Sequence, residues 1–226
     1  DGVAKIIFLT STFPGEGKTF VSVNIAATIA LSGKRVLLVG MDIRNPKLDE
    51  YLKLESRGVT NYLSSKEEKP IQNYITAVEG FKNLSVLPAG IIPPNPAELL
   101  MSKKVGDLFA ELKKEYDYII LDTPPVGLVS DALELAQYSD VTLYIVRQNF
   151  TKKEMLTLLN NRTKREELNN ISIVFNGYEN KAKYGTGYGY GYGYGYGYGY
   201  GYSNGYHEDD EPRGFLAKLK YKLFKK

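Results

Sequence analysis

A nine-residue loop between an apolar strand and a helix constrains this chain more than any other feature. Lys5–Thr10 (KIIFLT) is an apolar run of strand length, and Lys18–Ser32 repeats apolar residues at helical spacing up to Gly33, a helix stop. Between them runs Ser11-Thr12-Phe13-Pro14-Gly15-Glu16-Gly17-Lys18-Thr19. Gly-Lys-Thr at a strand–loop–helix junction is the core of a Walker A phosphate loop. Gly15 and Gly17 can take backbone angles that other residues avoid, which lets amide N–H groups point at phosphate oxygens. The helix N-terminus adds its dipole. Pro14, Gly15, Glu16, Gly17, Lys18, Thr19 and Phe20 are therefore the candidate nucleotide-binding residues. Lys18 is expected at the β- and γ-phosphates and Thr19 at Mg²⁺. The leading Gly of G-x-x-x-x-G-K-T is Thr12 here.

The rest of the chain repeats this alternation. Arg35–Gly40, Leu84–Leu87, Asp117–Leu121, Asp140–Val146 and Ile171–Phe175 read as strands. Ala97–Glu115, Val129–Tyr138 and Thr151–Leu168 read as helices, the last with Thr151 as N-cap and Glu154 at capping-box spacing. The stretch between Gly40 and about Asn83 is polar and mixed. Strands apolar on both faces, alternating with helices, predict a doubly wound, mostly parallel α/β sheet whose ligand lies at the strand carboxyl ends.

A phosphate loop needs carboxylates to hold Mg²⁺ and to polarise a hydroxyl or water. Asp122 follows a strand in Leu121-Asp122-Thr123-Pro124-Pro125, the Walker B position. Asp42 follows the second strand in Gly40-Met41-Asp42-Ile43-Arg44, placed to touch Mg²⁺ or accept a proton. Lys18, Asp42 and Asp122 are the candidate catalytic residues, and Thr19, Asp42 and Asp122 the candidate metal ligands. Arg44 is expected to pair with a carboxylate or a phosphate. Asn176, after the last strand, is placed to read adenine or simply to form an Asn-Gly turn. Asn180-Lys181-Ala182-Lys183 lacks the Asp of a guanine-reading motif, which favours ATP.

Composition excludes much else. With no Cys and a single His, His207, the chain has no thiol nucleophile, disulfide or Cys-based metal site, and a Ser–His–Asp mechanism is disfavoured. The net charge is only +3, so nucleic acid is not an expected partner. No apolar run is long enough to span a bilayer. The chain begins at Asp1 without Met, which suggests a piece of a longer protein.

Of the 19 Tyr, ten lie between Tyr184 and Tyr206: Tyr184, Tyr188, Tyr190, Tyr192, Tyr194, Tyr196, Tyr198, Tyr200, Tyr202 and Tyr206. They alternate with Gly from Tyr188 to Tyr202. Gly-rich sequence without aliphatic residues is expected to be flexible. Beyond it, Arg213–Lys226 (RGFLAKLKYKLFKK) sets Phe215, Leu216, Leu219 and Leu223 on one helical face among Lys residues. That suits an anionic membrane surface, a partner or a solvated end. The expected division is a P-loop domain over 1–178, a Tyr/Gly tail over 179–211 and a basic segment over 212–226.

With these motifs in place, the chain resembles the bacterial tyrosine kinases. The resemblance rests on the loop at 11–19, Asp-x-Arg at 42–44, Pro-Pro-Asn-Pro-x-Glu-Leu-Leu at 93–100, Asp-Thr-Pro-Pro at 122–125 and the Tyr-rich C-terminus. It implies a P-loop NTPase of MinD/ParA-like type and an ATP- and Mg²⁺-dependent tyrosine autokinase, with the ten tail tyrosines as acceptors. It further implies a homo-oligomeric ring in which one subunit's tail enters a neighbour's site, and a membrane adaptor in the same chain or a separate one. A protein-tyrosine phosphatase and a role in extracellular or capsular polysaccharide export, at the cytoplasmic face of the bacterial inner membrane, complete the expectation. The family's second motif usually reads Asp-x-Asp-x-Arg; Gly40 stands at its first Asp, so if that Asp takes the tyrosine proton, the role passes to Asp42 or is dispensed with. Two other classes stay open on the residues alone: a MinD/ParA-type ATPase scaffold that phosphorylates no tyrosine, and an adhesive Tyr/Gly protein. Full phosphorylation of the tail would add about 15–20 negative charges, enough to loosen an oligomer.

Overall fold

Seven strands form one sheet: β1 Lys5–Ser11, β2 Val36–Gly40, β3 Thr76–Ala77, β4 Leu84–Leu87, β5 Tyr118–Asp122, β6 Val141–Arg147 and β7 Ile171–Asn176. The structure, a computed structural model, describes residues 4–65, 67 and 69–179. The Tyr184–Tyr206 cluster, Asn180–Lys183 and the basic C-terminal segment lie outside the described residues. The strand order is β3-β4-β2-β5-β1-β6-β7, parallel throughout except for the short β3, which runs antiparallel to β4. The sheet is the expected doubly wound one, with an antiparallel edge strand that the sequence patterning does not show.

Alternation along each strand sends its side chains to two separate cores. Ile6 and Phe8, Leu37 and Val39, Ile119 and Leu121, and Tyr144 and Val146 face one layer. That layer holds α4 (Pro96–Leu100), α5 (Lys103–Glu115), a 3₁₀ segment at Asp131–Tyr138 and Leu159 of α6 (Leu156–Lys164). The intervening residues Leu9, Leu38, Ile120 and Ile145 are equally buried and turn to the other face. There α1 (Lys18–Leu31) packs on β1, β2 and β5 through Val23, Ala26, Ala27 and Ala30. All five residues of β2 are buried, which is why it reads as continuously apolar.

The structure differs from the sequence patterning in several places. The polar stretch after β2 contains α2 (Lys47–Leu52), α3 (Val59–Ser64), a 3₁₀ turn at Ile71–Tyr74 and β3. These elements are too short to show a period. The helix expected over 97–115 breaks at Met101-Ser102, where Ser102 takes an extended conformation and its hydroxyl donates to Leu99 O at 2.7 Å. Val129–Tyr138 is 3₁₀ from Asp131 onward. The helix expected over 151–168 is a 3₁₀ turn, Lys153–Met155, followed by α6. It ends early because Glu166 adopts a left-handed conformation (φ 56°) that carries Leu168 into the core. Thr151 does not cap it; its hydroxyl accepts the Arg147 N–H at 2.9 Å and bonds the Glu16 carboxylate.

Candidate active site

β5 lies between β1 and β2, so the carboxyl ends of these three strands meet. β1 delivers the loop, β5 delivers Asp122 and β2 delivers Asp42. The Asp122 carbonyl accepts the N–H of Met41 at 2.8 Å and of Asp42 at 3.1 Å, which sets the second carboxylate from the backbone of the first. Gly15 and Gly17 have φ of 86° and 96°, the left-handed conformations that glycine tolerates. Helix α1 opens at Lys18, immediately after them.

The loop is braced from β6 and β7. The Arg147 guanidinium donates to Gly15 O at 2.8 Å, and the Asn176 amide donates to Glu16 O at 2.9 Å. A Cβ on Gly17 would stand 2.1 Å from Asn176 Nδ2, so the amide rests directly against that glycine. The Glu16 side chain is fully buried and accepts the Phe13 N–H at 2.8 Å. Thr12, in place of the usual leading glycine, is buried and shares a 2.7 Å hydrogen bond with Tyr144 Oη. Gly127 packs under it: a Cβ there would meet Thr12 O at 2.2 Å.

Lys18 is 8% exposed and donates to Ser11 Oγ at 3.1 Å. Burial pushes its pKa down, against the pull of Asp122, Asp42 and Glu16. Thr19 Oγ1 donates to Asp122 Oδ2 at 2.8 Å, while Asp122 Oδ1 is buried with no partner among the described residues. Burial pushes the Asp122 carboxyl up to about 6, with Asp42 adding to the shift and Thr19 and Lys18 opposing it. Burial likewise raises Asp42, offset by the Asn45 N–H, which donates to its Oδ1 at 3.0 Å, and by Lys18. Two carboxylates and a hydroxyl beside an orphaned carboxylate oxygen are the donor set of a small hard cation, so Mg²⁺ fits these residues.

A cavity of about 410 Å³ opens over these groups. Pro14, Gly15, Gly17, Lys18, Thr19 and Phe20 form one side, with Asp42 and Arg44 beyond them. Several lining residues carry no signal in the sequence: Tyr51 and Lys47 from α2, and Leu128 and Val129 after Pro125. Arg44 pairs with a carboxylate, as one of its two expectations had it: Asp131, at 2.7 Å. Asn176 and Glu16 are not among the lining residues. The Asn176 amide donates to Glu16 O and accepts the Gly177 N–H at 2.9 Å, so it braces the loop. Glu16 has only its backbone to offer a nucleotide.

The family model described as an AAA domain matches residues 4–173. The tyrosine-protein kinase YwqD of Bacillus subtilis is 39% identical over 157 residues, covering 68% of this chain and 64% of its own. The tyrosine-protein kinase wzc of Salmonella typhimurium is 38% identical over 157 residues, covering 69% of this chain and 21% of its own. The chain thus spans less than two thirds of the length of these relatives. The solved kinase domain of Escherichia coli tyrosine kinase ETK superposes with a TM-score of 0.73 at 31% identity, over 84% of this chain and 73% of that one. Archaeal MinD proteins, at 21% and 23% identity, share the fold alone.

Proposed function

The chain belongs to the bacterial tyrosine-kinase family, and on that premise we propose that it is an ATP-dependent protein-tyrosine autokinase acting on its own C-terminal cluster. The observation that carries the proposal is the meeting of Lys18, Thr19 and Asp42 at one cavity, with the buried Asp122 hydrogen-bonded to Thr19 behind them. Lys18 and the loop amides hold the ATP phosphates. Thr19 and Asp122 would hold Mg²⁺, which would supply charge neutralisation for the transferring group, and Asp42 beside them is left free to take a proton. A tyrosine Oη bonds to the γ-phosphorus as the bond from phosphorus to the β–γ bridging oxygen breaks, leaving ADP. The Oη proton passes to Asp42, whose burial makes it a stronger base than a surface carboxylate. Phosphoryl transfer depends mainly on positioning and charge neutralisation, so Gly40 in place of an Asp is compatible with activity.

The proposed acceptors are the ten tyrosines from Tyr184 to Tyr206. The proposal extends to a homo-oligomeric ring that exchanges tails, a membrane adaptor, a protein-tyrosine phosphatase, and work on polysaccharide assembly and export at the cytoplasmic face of the inner membrane. Relatives matched over 64% and over 21% of their length are consistent with an adaptor carried either separately or in the same chain. Among the described residues no helix is long and apolar enough to cross a membrane.

Incubation with γ-labelled ATP and Mg²⁺ tests the activity. Label on tyrosine that disappears in Lys18→Met is expected. Free phosphate without labelled tyrosine would favour a MinD-like scaffold, and label that survives in Lys18→Met would overturn the site.

A further inference from the structure

A second cavity of about 400 Å³ lies apart from the phosphate loop. Arg57, Asn61, Ser64, Tyr74, Ile91 and Ile92 are among the residues that line it. The lining mixes polar and apolar groups. Ile91 and Ile92 are 61% and 62% exposed, an apolar rim left in water beside the buried ring of Tyr74. The Arg57 guanidinium stands 5.7 Å above the centroid of that ring. Among the described residues no carboxylate forms an ion pair with it: Glu67 is taken by Lys69, and Asp49 accepts the N–H groups of Ala89 and Gly90. Asn61 uses its carbonyl oxygen on the Gly58 N–H, so its amide has N–H to offer. Lys104, donating to Ser65 O at 2.6 Å, adds positive charge at the margin.

An apolar rim and a planar cation without an ion-pair partner, held over Tyr74 with N–H and hydroxyl groups beside it, suit a flat apolar group that ends in an anion. Arginine forks bind phosphate oxygens in pairs, and phosphotyrosine presents such oxygens on a ring. We propose that this cavity binds phosphotyrosine, the product of the proposed reaction, carried on the tail of a second copy. The proposal rests on the kinase assignment for the origin of its ligand, not for the chemistry of the cavity. A tail captured through one phosphotyrosine presents its remaining tyrosines at raised local concentration, which makes phosphorylation of the cluster self-reinforcing.

The test uses the full-length Lys18→Met chain, purified without phosphate on its tail. It is titrated by fluorescence anisotropy with Gly-Tyr repeat peptides that carry one phosphotyrosine, one phosphoserine or no phosphate. The phosphotyrosine peptide is expected to bind at least about tenfold tighter than the unphosphorylated one, the scale of a charge-assisted hydrogen bond, and tighter than the phosphoserine peptide, which lacks the ring. Adding Arg57→Ala is expected to abolish the preference, and Arg57→Lys to keep part of it; circular dichroism confirms that both variants are folded. Equal binding of the three peptides, or a preference that survives Arg57→Ala, overturns the proposal. Because the phosphate arrives on a synthetic peptide, a negative result leaves the kinase assignment standing, and a failure of tail labelling leaves this result readable.

Discussion

Replacing Asn176 with Ala separates a loop brace from a base reader. The side chain gives one N–H to Glu16 O at 2.9 Å and lies against Gly17, whose Cβ would fall 2.1 Å from Nδ2. Removing a neutral hydrogen bond of this kind costs about 1 kcal/mol. If the whole of that cost falls on the nucleotide-binding form of the loop, affinity drops about fivefold. The brace touches loop backbone and no base, so ATP and GTP are expected to weaken by the same factor. Fluorescent analogues of both nucleotides, titrated into wild-type and Asn176→Ala protein, give the two ratios directly. Asn176→Asp keeps the shape but sets a carboxylate against a carbonyl oxygen, and is expected to weaken both nucleotides further. The reasoning is refuted if ATP weakens while GTP does not, which would make Asn176 a base reader, or if neither changes, which would leave the loop indifferent to its brace.

Tyr144→Phe leaves the buried Thr12 hydroxyl without its 2.7 Å partner and is expected to cost about 1–2 kcal/mol in urea unfolding. Adding Thr12→Val should then cost less than the two single changes summed, and strict additivity would deny the bond. Arg35 hydrogen bonds hold the Asp117 carboxyl down at about 2, so its stabilising contribution is complete above the ordinary carboxylate value and is lost as pH falls toward 2. The stability gap between wild type and Asp117→Asn is expected to close across that window, and a gap that widens on acidification would contradict the sign. Gly40→Asp, which restores the residue usual in the family, would bring a Cβ 2.8 Å from Ala89 N. It is expected to destabilise by about 1–3 kcal/mol without faster labelling; a stable, faster variant would show that Asp42 is not sufficient as the base.

Much of the fold and the centre of the site could be read from local sequence. The strand–loop–helix from Lys5 to Leu31 has its period, its glycines and its Lys-Thr in one continuous stretch. Asp42 and Asp122 follow strands apolar on both faces, and such strands must be parallel and central. The elements between Gly40 and Asn83 are shorter than any detectable period. Thr151 shows how a local signal misleads: its capping-box spacing is real, yet its hydroxyl goes to Glu16, 135 residues away.

The sequence by itself determined that this is a parallel α/β protein with a phosphate loop and two carboxylates at strand ends, because hydrophobic period and glycine placement act over a few residues. Only the tertiary structure decided what those residues touch. Strand order put β5 between β1 and β2 and so set Thr19 against Asp122; β7 brought Asn176 to the loop across 160 residues, and Arg44 found Asp131 across 87. Such contacts are set by packing of the whole chain, and no local pattern records which distant group will satisfy a buried donor.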